Sequence, residues 1–294
     1  MWPPMIVPFD GVTWGAVTPG RPEGAVGALE HGAVLFLPDL AFQVGSEERV
    51  FFSPSIVTAK NISFDPSTGR LGGARERELG SAGVVALRRL LGRFSDSAAA
   101  MLGALMPDYG ARIVRARASF RPVEIAGRAT SWRHDDTRLH IDSFPATPVQ
   151  GRRILRVFTN VNPDGHPRVW RVGEAFGDLA RRFAPRLRVP VAGSAAVLRL
   201  LGITKSRRSV YDALMLQLHD AMKADAAYQA GAEQISFDFP AGSTWIACTD
   251  AVSHAAMAGQ YQLEQTFLLP VEAMREPARS PLRILEGLKG RRLV

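Results

Sequence analysis

Residues 130–162, TSWRHDDTRLHIDSFPATPVQGRRILRVFTNVN, decide how the chain is read. At their centre stands His140-Ile141-Asp142, where apolar Leu139 and Ile141 alternate with the two polar side chains. In an extended strand, residues two apart point to the same face, about 6–7 Å from one another. An imidazole and a carboxylate held this way can share one metal ion. His254, in TDAVSHAAM after another strand-like run, is the best candidate for a third ligand from elsewhere in the chain. Two imidazoles and one carboxylate on one face, with other positions open, suit non-haem Fe(II) and oxygen chemistry. The same spacing also serves a plain imidazole–carboxylate hydrogen bond on a sheet face, with no metal. A second such pair, His134-Asp135-Asp136, stands just upstream in a stretch that reads as a polar loop or rim.

Working outward, residues 153–162, RILRVFTNVN, form a strand pattern with Arg156, Phe158, Asn160 and Asn162 on one face. Pro163-Asp164-Gly165 then marks a turn. Residues 113–124, IVRARASFRPVE, also have period two: Val114, Ala116, Ala118 and Phe120 face one way, Arg115, Arg117, Ser119 and Arg121 the other. That second face is either a solvated strand surface or an anion-binding wall, because Arg grips carboxylates and phosphates bidentately. Neighbouring guanidiniums repel unless something negative stands among them. Further strands are expected at 33–42, 50–57, 234–239, 244–248 and 261–269, and helices at 80–105, with Ser81 and Ser95 or Asp96 as N-caps.

Residues 173–230 read as a helical insertion, within which Val210, Leu214, Leu218 and Met222 make an apolar stripe. From 173 to 210 it carries Arg181, Arg182, Arg186, Arg188, Arg199, Lys205, Arg207 and Arg208 against Glu174 and Asp178, most of the chain's net charge of +8. Strand-rich segments on both sides of the insertion, each with a candidate ligand, point to one folding unit over 1–294. The expected class is mainly β with helices (α+β), an open barrel or jelly roll whose antiparallel strands present alternate side chains to a cavity.

Composition narrows the function. Cys248 is the one cysteine, which excludes a disulfide scaffold and a Cys-rich zinc module and fits a reducing compartment. The N-terminal MWPPMIVPFDG lacks the basic and apolar regions of a signal peptide, and the apolar run at 33–42 is broken by Pro38 and Asp39, so a cytoplasmic protein is expected. Of 36 basic residues only four are Lys, an Arg bias that by itself points weakly to nucleic acid, and no nucleic-acid partner is expected. No nucleotide-binding glycine motif, HExxH or GxSxG is present. His31, His166 and His219 have no motif around them and read as structural. Two other readings stand beside an iron enzyme: a metal-free jelly-roll protein that binds anionic glycans, and a nucleic-acid binder suggested by the isoelectric point alone.

The stretch WRHDDTRLHIDSFPATP, continuing to GRRILRVFTNVNPDGHPRVWRVGE, resembles the Kdo hydroxylase family most specifically over 132–174. These are Fe(II)/2-oxoglutarate dioxygenases that hydroxylate carbon 3 of 3-deoxy-D-manno-oct-2-ulosonic acid (Kdo) in the lipopolysaccharide inner core. The resemblance implies a double-stranded β-helix (cupin-like) core and His140, Asp142 and His254 as Fe(II) ligands and catalytic centre. It implies 2-oxoglutarate and O2 as cosubstrates, and succinate, CO2 and the hydroxylated sugar Ko as products. Residues 260–268 lack the basic residue that many relatives place after the distal His, so Arg156, with Thr137 and Asn160, is the expected cosubstrate site. Arg115, Arg117, Arg121, His134 and Arg138 are the expected contacts to the sugar acid and nearby phosphates. A substrate carried on lipid A gives the basic insertion a role: Phe176, Leu179 and Phe183, interleaved with Arg181 and Arg182, would rest on the anionic cytoplasmic face of the inner membrane.

Overall fold

Two sheets gather the strand-forming residues in a computed structural model that describes residues 5–15, 23–191 and 193–294. Across its width the larger sheet runs β1 (Ile6–Pro8), β2 (Val34–Leu37), β9 (Thr244–Cys248), β6 (Arg153–Asn160), β11 (Gln262–Leu269), β5 (Val114–Arg121), β3 (Ile62–Asp65) and β4 (Arg70–Gly72). The smaller sheet is β10 (Val252–Ala258), β7 (Arg168–Ala175) and β8 (Gln234–Phe239). All these pairings are antiparallel except β1 with β2. The sheets face each other through aromatic side chains: Phe239 stacks on Trp245 at 4.1 Å and Phe158 meets Trp170 edge-on at 4.9 Å. Such rings supply large buried area and fix the sheet spacing. The result is the expected α+β jelly-roll core.

Central strand β11 is buried along its whole length. Its even residues Gln262 and Glu264 face a cavity, while Leu263 joins Leu87, Leu90, Leu91 and Phe94 of α2 (Glu76–Leu105) in a second core. Around the sandwich lie α1 (Glu23–Glu30), α3 (Pro107–Gly110), α4 (Phe176–Phe183), α5 (Ser194–Leu200), α6 (Val210–Ala224), α7 (Ala226–Gly231) and α8 (Pro281–Lys289). The insertion between β7 and β8 therefore holds α4 to α7. Among the described residues no helix is long and apolar enough to cross a membrane.

Several expected boundaries move. Residues 50–57 are two 3-10 turns, Ser46–Phe51 and Pro54–Ile56, because Pro54 opens the second and Ser53 caps it by accepting from the Ser55 amide. Gly173, Glu174 and Ala175 close strand β7 rather than open a helix. Ser95 caps nothing: it is fully buried inside α2, whose apolar stripe continues past it through Ala98, Met101 and Leu105. The break comes earlier, at Gly80, whose φ of 64° and ψ of 170° separate the first turn from the rest. Phe176, Leu179 and Phe183 are all buried against the sandwich, so α4 has no apolar face for a lipid surface.

Candidate metal centre and cosubstrate cavity

His140, Asp142 and His254 come together at one end of the sandwich, with one ligand atom of each within 4.8 Å of the others. The His140–Asp142 segment is not a regular strand. It is an extended piece that makes a single antiparallel bridge to His254, with amide-to-carbonyl bonds of 3.0 and 2.9 Å in the two directions. The Asp142 amide then donates to the Thr249 carbonyl at 2.7 Å. Leu139 and Ile141, both fully buried, anchor the segment in the core. On the other side, a register shift between Val252 and His254 in β10 turns His254 toward the cavity.

Both imidazoles are oriented the same way. Nδ1 of His140 lies 2.8 Å from the Arg138 carbonyl, and Nδ1 of His254 lies 2.8 Å from the Val252 carbonyl. A carbonyl only accepts, so each Nδ1 carries the proton and each Nε2 is left as a free lone pair. Burial lowers the pKa of both rings, with the neighbouring imidazole adding to the effect at His140, so both are neutral at physiological pH. Burial works against the Asp142 carboxylate, but the Arg156 guanidinium overcomes it and holds its pKa below the usual range. Arg156 donates to Asp142 Oδ2 at 2.8 Å, while Oδ1 lies 3.9 Å from His140 Nε2. Two neutral nitrogen donors and one ionised oxygen donor fit Fe(II), and the donor set leaves other coordination positions open.

The triad opens into a cavity of about 430 Å³. Its floor is Phe158, Trp170, Gln262 and Glu264; one wall is the loop Arg133–Asp136; another is the stripe Leu216, His219, Asp220 and Lys223 of α6. Buried Glu264 accepts two bonds from Arg121, at 2.8 and 3.0 Å, and one from Arg156 at 2.8 Å. Lys60 and Arg128 both donate to Asp136. Burial would neutralise Asp136, yet Arg121 and Lys60 keep it ionised. Arg168 differs from these cations. It is 2 % exposed, donates to the Gly259 carbonyl, leaves its Nε without a partner, and makes no ion pair among the described residues, with Glu264, Asp136 and Glu124 acting on it only from a distance. Burial, with Arg121 adding to it, pushes its pKa down to about 9. Trp170 stacks on His254 at 5.1 Å with its buried indole N–H also unpartnered.

The sequence profile described as 3-deoxy-D-manno-oct-2-ulosonic acid (Kdo) hydroxylase matches residues 13–292. The chain belongs to the Kdo hydroxylase family. It is similar to the crystal structure of the Kdo hydroxylase KdoO, a non-heme Fe(II) alphaketoglutarate dependent dioxygenase, in complex with alphaketoglutarate and Fe(III): identity is 48 %, coverage 99 % of this chain and 98 % of that one, TM-score 0.95. The cobalt(II) complex of KdoO matches at 48 % identity, with 99 % and 97 % coverage and a TM-score of 0.95. Its complex with succinate and Fe(III) matches at 47 % identity, with 99 % and 97 % coverage and a TM-score of 0.94. No curated protein matches the chain.

For this Kdo hydroxylase fold, the expected residues divide. His140, Asp142, His254, Arg121, His134 and Arg156 all line the cavity. Each nitrogen of Arg156, however, already donates, to Asp142, Glu264 and Thr266. Thr137 lies outside the cavity, because its hydroxyl turns back to Asp135 at 2.6 Å in a local turn. Asn160 is also outside: its buried amide donates to the His166 and Phe239 carbonyls and secures the end of the sandwich. Arg138 is held by the Lys223 carbonyl and by Asp135, away from the cavity. Arg115, paired with Asp96, and Arg117 line a neighbouring groove instead. The negative group expected among the strand arginines is Glu264, from the adjacent strand.

Sequence reasoning missed Lys60, Arg168, Trp170, His219, Lys223 and Glu264. Two signals were there. In RVWRVGE, Arg168 and Trp170 alternate on one strand face, and α6 carries His219 and Lys223 on the side facing away from its apolar stripe. His219 meets His140 edge-on at 5.4 Å and pairs with Asp220, so it belongs to the cavity wall and not to an isolated structural position.

Proposed function

We propose that the chain hydroxylates carbon 3 of Kdo carried on lipid A, giving Ko, with 2-oxoglutarate converted to succinate and CO2. At the coarser level, as a member of the Kdo hydroxylase family, it is an Fe(II)- and 2-oxoglutarate-dependent dioxygenase that uses O2 and acts on a Kdo-containing sugar. One observation carries the oxygenase chemistry on which this reading is built: a candidate three-ligand metal set and a buried guanidinium with an unpartnered Nε meet in one cavity. Bound Fe(II) supplies the site where reduction of O2 is coupled to decarboxylation of 2-oxoglutarate. One oxygen atom enters the sugar C–H bond and the other enters succinate.

The chain's own residues then have separable tasks. His140 and His254 present neutral Nε2 atoms, and Asp142 presents Oδ1 because Arg156 occupies Oδ2. Arg168 receives the distal carboxylate of 2-oxoglutarate, with the Trp170 N–H beside it, since both have donors without partners. Phe158 and Trp170 keep water from the metal-facing end. The family profile, spanning 13–292, supports reading the whole chain as one dioxygenase domain with a basic helical insertion.

Support for a lipid-linked substrate comes from a different part of the insertion than expected. Val191, Leu200 and Leu201 are 82 %, 87 % and 66 % exposed, next to Arg199 and Arg207. Residues 205 and 208 are bonded to the Ala146 and Pro145 carbonyls, and Pro145 lines the cavity, so this apolar and basic patch adjoins its rim. An apolar tip among cations suits an anionic lipid surface. The test of the reaction is succinate release that depends on Fe(II), 2-oxoglutarate, O2 and Kdo-lipid A together, with the position of the new hydroxyl found by NMR. A hydroxyl at another carbon, or succinate release indifferent to the sugar, would contradict the reading.

A further inference from the structure

Six cations line the cavity, Lys60, Arg121, Arg133, Arg156, Arg168 and Lys223, against four carboxylates, Asp136, Asp142, Asp220 and Glu264. Lys60 is paired with Asp136, Arg121 and Arg156 with Glu264, and Arg133 with Asp220. Two cations remain without a direct ion pair among the described residues, and both are 2 % exposed: Arg168 on the strand side and Lys223 on the helix side. A buried charge without a counter-ion is costly, so such groups mark places where a ligand brings the missing charge. The reaction brings two organic acids into this cavity. If Arg168 takes the cosubstrate, one unpaired cation is left for the other acid.

Lys223 is built for that use. It stands on α6 seven residues after Leu216, in one stripe with His219 and Asp220, so its ammonium is carried on a rigid helix and not on a loop. Its Nζ donates to the Arg133 carbonyl at 3.1 Å, which fixes the side chain and leaves two of its three N–H groups for another acceptor. Its own backbone carbonyl accepts from Arg138, tying the helix to the loop that carries His134.

We propose that the Lys223 ammonium binds the carboxylate of the acidic sugar and so selects Kdo over neutral sugars. The proposal rests on the Kdo reading above. It makes Lys223 a specificity-determining residue, separate from the cosubstrate's Arg168.

The test uses the Fe(II)-loaded full chain with Kdo-lipid A in detergent, its Kdo carboxylate either free or methyl-esterified, and compares wild type with Lys223→Gln, Lys223→Met and Lys223→Arg. A charge-assisted hydrogen bond in a dry cavity corresponds to a preference of about 10- to 100-fold. Wild type should prefer the free acid by that factor in kcat/KM. Lys223→Gln and Lys223→Met should lose the preference through KM for the sugar, and Lys223→Arg should keep part of it. Calorimetric binding of 2-oxoglutarate without O2 should stay within about 2-fold in all variants, which also reports that they are folded. Full preference retained in Lys223→Gln, or a parallel loss of 2-oxoglutarate binding, would overturn the assignment. A wild type equally active on acid and ester would overturn it while leaving Kdo hydroxylation intact. A wild type that binds 2-oxoglutarate but turns over neither sugar would instead overturn the Kdo reading, and this assignment with it.

Discussion

Replacing Arg168 by Met separates its role in cosubstrate binding from any role in holding the fold. The guanidinium is 2 % exposed, and burial with Arg121 nearby pushes its pKa from 12.5 to about 9. That depression corresponds to about 5 kcal/mol against the charged form in the cavity. Because the folded value lies below the unfolded one, the penalty is present in full at neutral pH and lessens only as pH rises through about 9. The bond to the Gly259 carbonyl offsets about 1.5–3 kcal/mol of it. Arg168→Met should therefore leave the ligand-free protein more stable by about 2–3.5 kcal/mol, a rise of several degrees in Tm. The same substitution should weaken 2-oxoglutarate binding by about 30- to several-thousand-fold, the usual cost of removing one partner of a buried charge pair. Calorimetric titration of the Fe(II) protein without O2 and a thermal scan read the two effects on one sample. A variant that melts earlier and binds 2-oxoglutarate normally would refute the reasoning and make Arg168 a structural residue.

Asn160→Ala should cost roughly 1–3 kcal/mol in stability through the two carbonyls it leaves unpaired, with the KM for 2-oxoglutarate unchanged; a raised KM would return Asn160 to the cosubstrate site. Cys248 is 1 % exposed and burial pushes its thiol up to about 12, so a thiol reagent at pH 8 should label it only after denaturation, and rapid labelling of native protein would contradict the packing of β9. Leu200→Asp with Leu201→Asp should reduce co-sedimentation with anionic vesicles several-fold and leave turnover in detergent unchanged, whereas unaltered vesicle binding would move the lipid contact elsewhere.

The strands and the pairing of His140 with Asp142 as candidate ligands could be read from the sequence because both follow local rules. Alternation along RILRVFTNVN and the two-residue spacing of His140 and Asp142 are set by strand geometry, and the expected strands at 234–239 and 244–248 coincide with β8 and β9. What stayed hidden depends on pairing between distant segments. Glu264 neutralises Arg121 and Arg156 only because β11 lies between β5 and β6, and no local pattern announces that order. Arg156 was legible as a cavity residue, but its prior commitment to Asp142 was not. Arg168 and Lys223 stand out because neither makes a direct ion pair among the described residues, a property of the folded cavity alone. The amphipathic pattern of α4 misled for a related reason: an apolar stripe flanked by arginines looks the same whether it meets lipid or, as here, the sandwich.

Fe(II) titration of wild type, His254→Ala and Asp142→Asn, each checked by circular dichroism, bears most directly on the convergence of three side chains from distant parts of the chain. Wild type should bind one Fe(II) per chain. Each variant should keep its fold and lose more affinity than the about 10- to 100-fold expected from disturbing an outer partner. A folded His254→Ala protein that binds Fe(II) as tightly as wild type would contradict the metal centre and the oxygenase chemistry built on it.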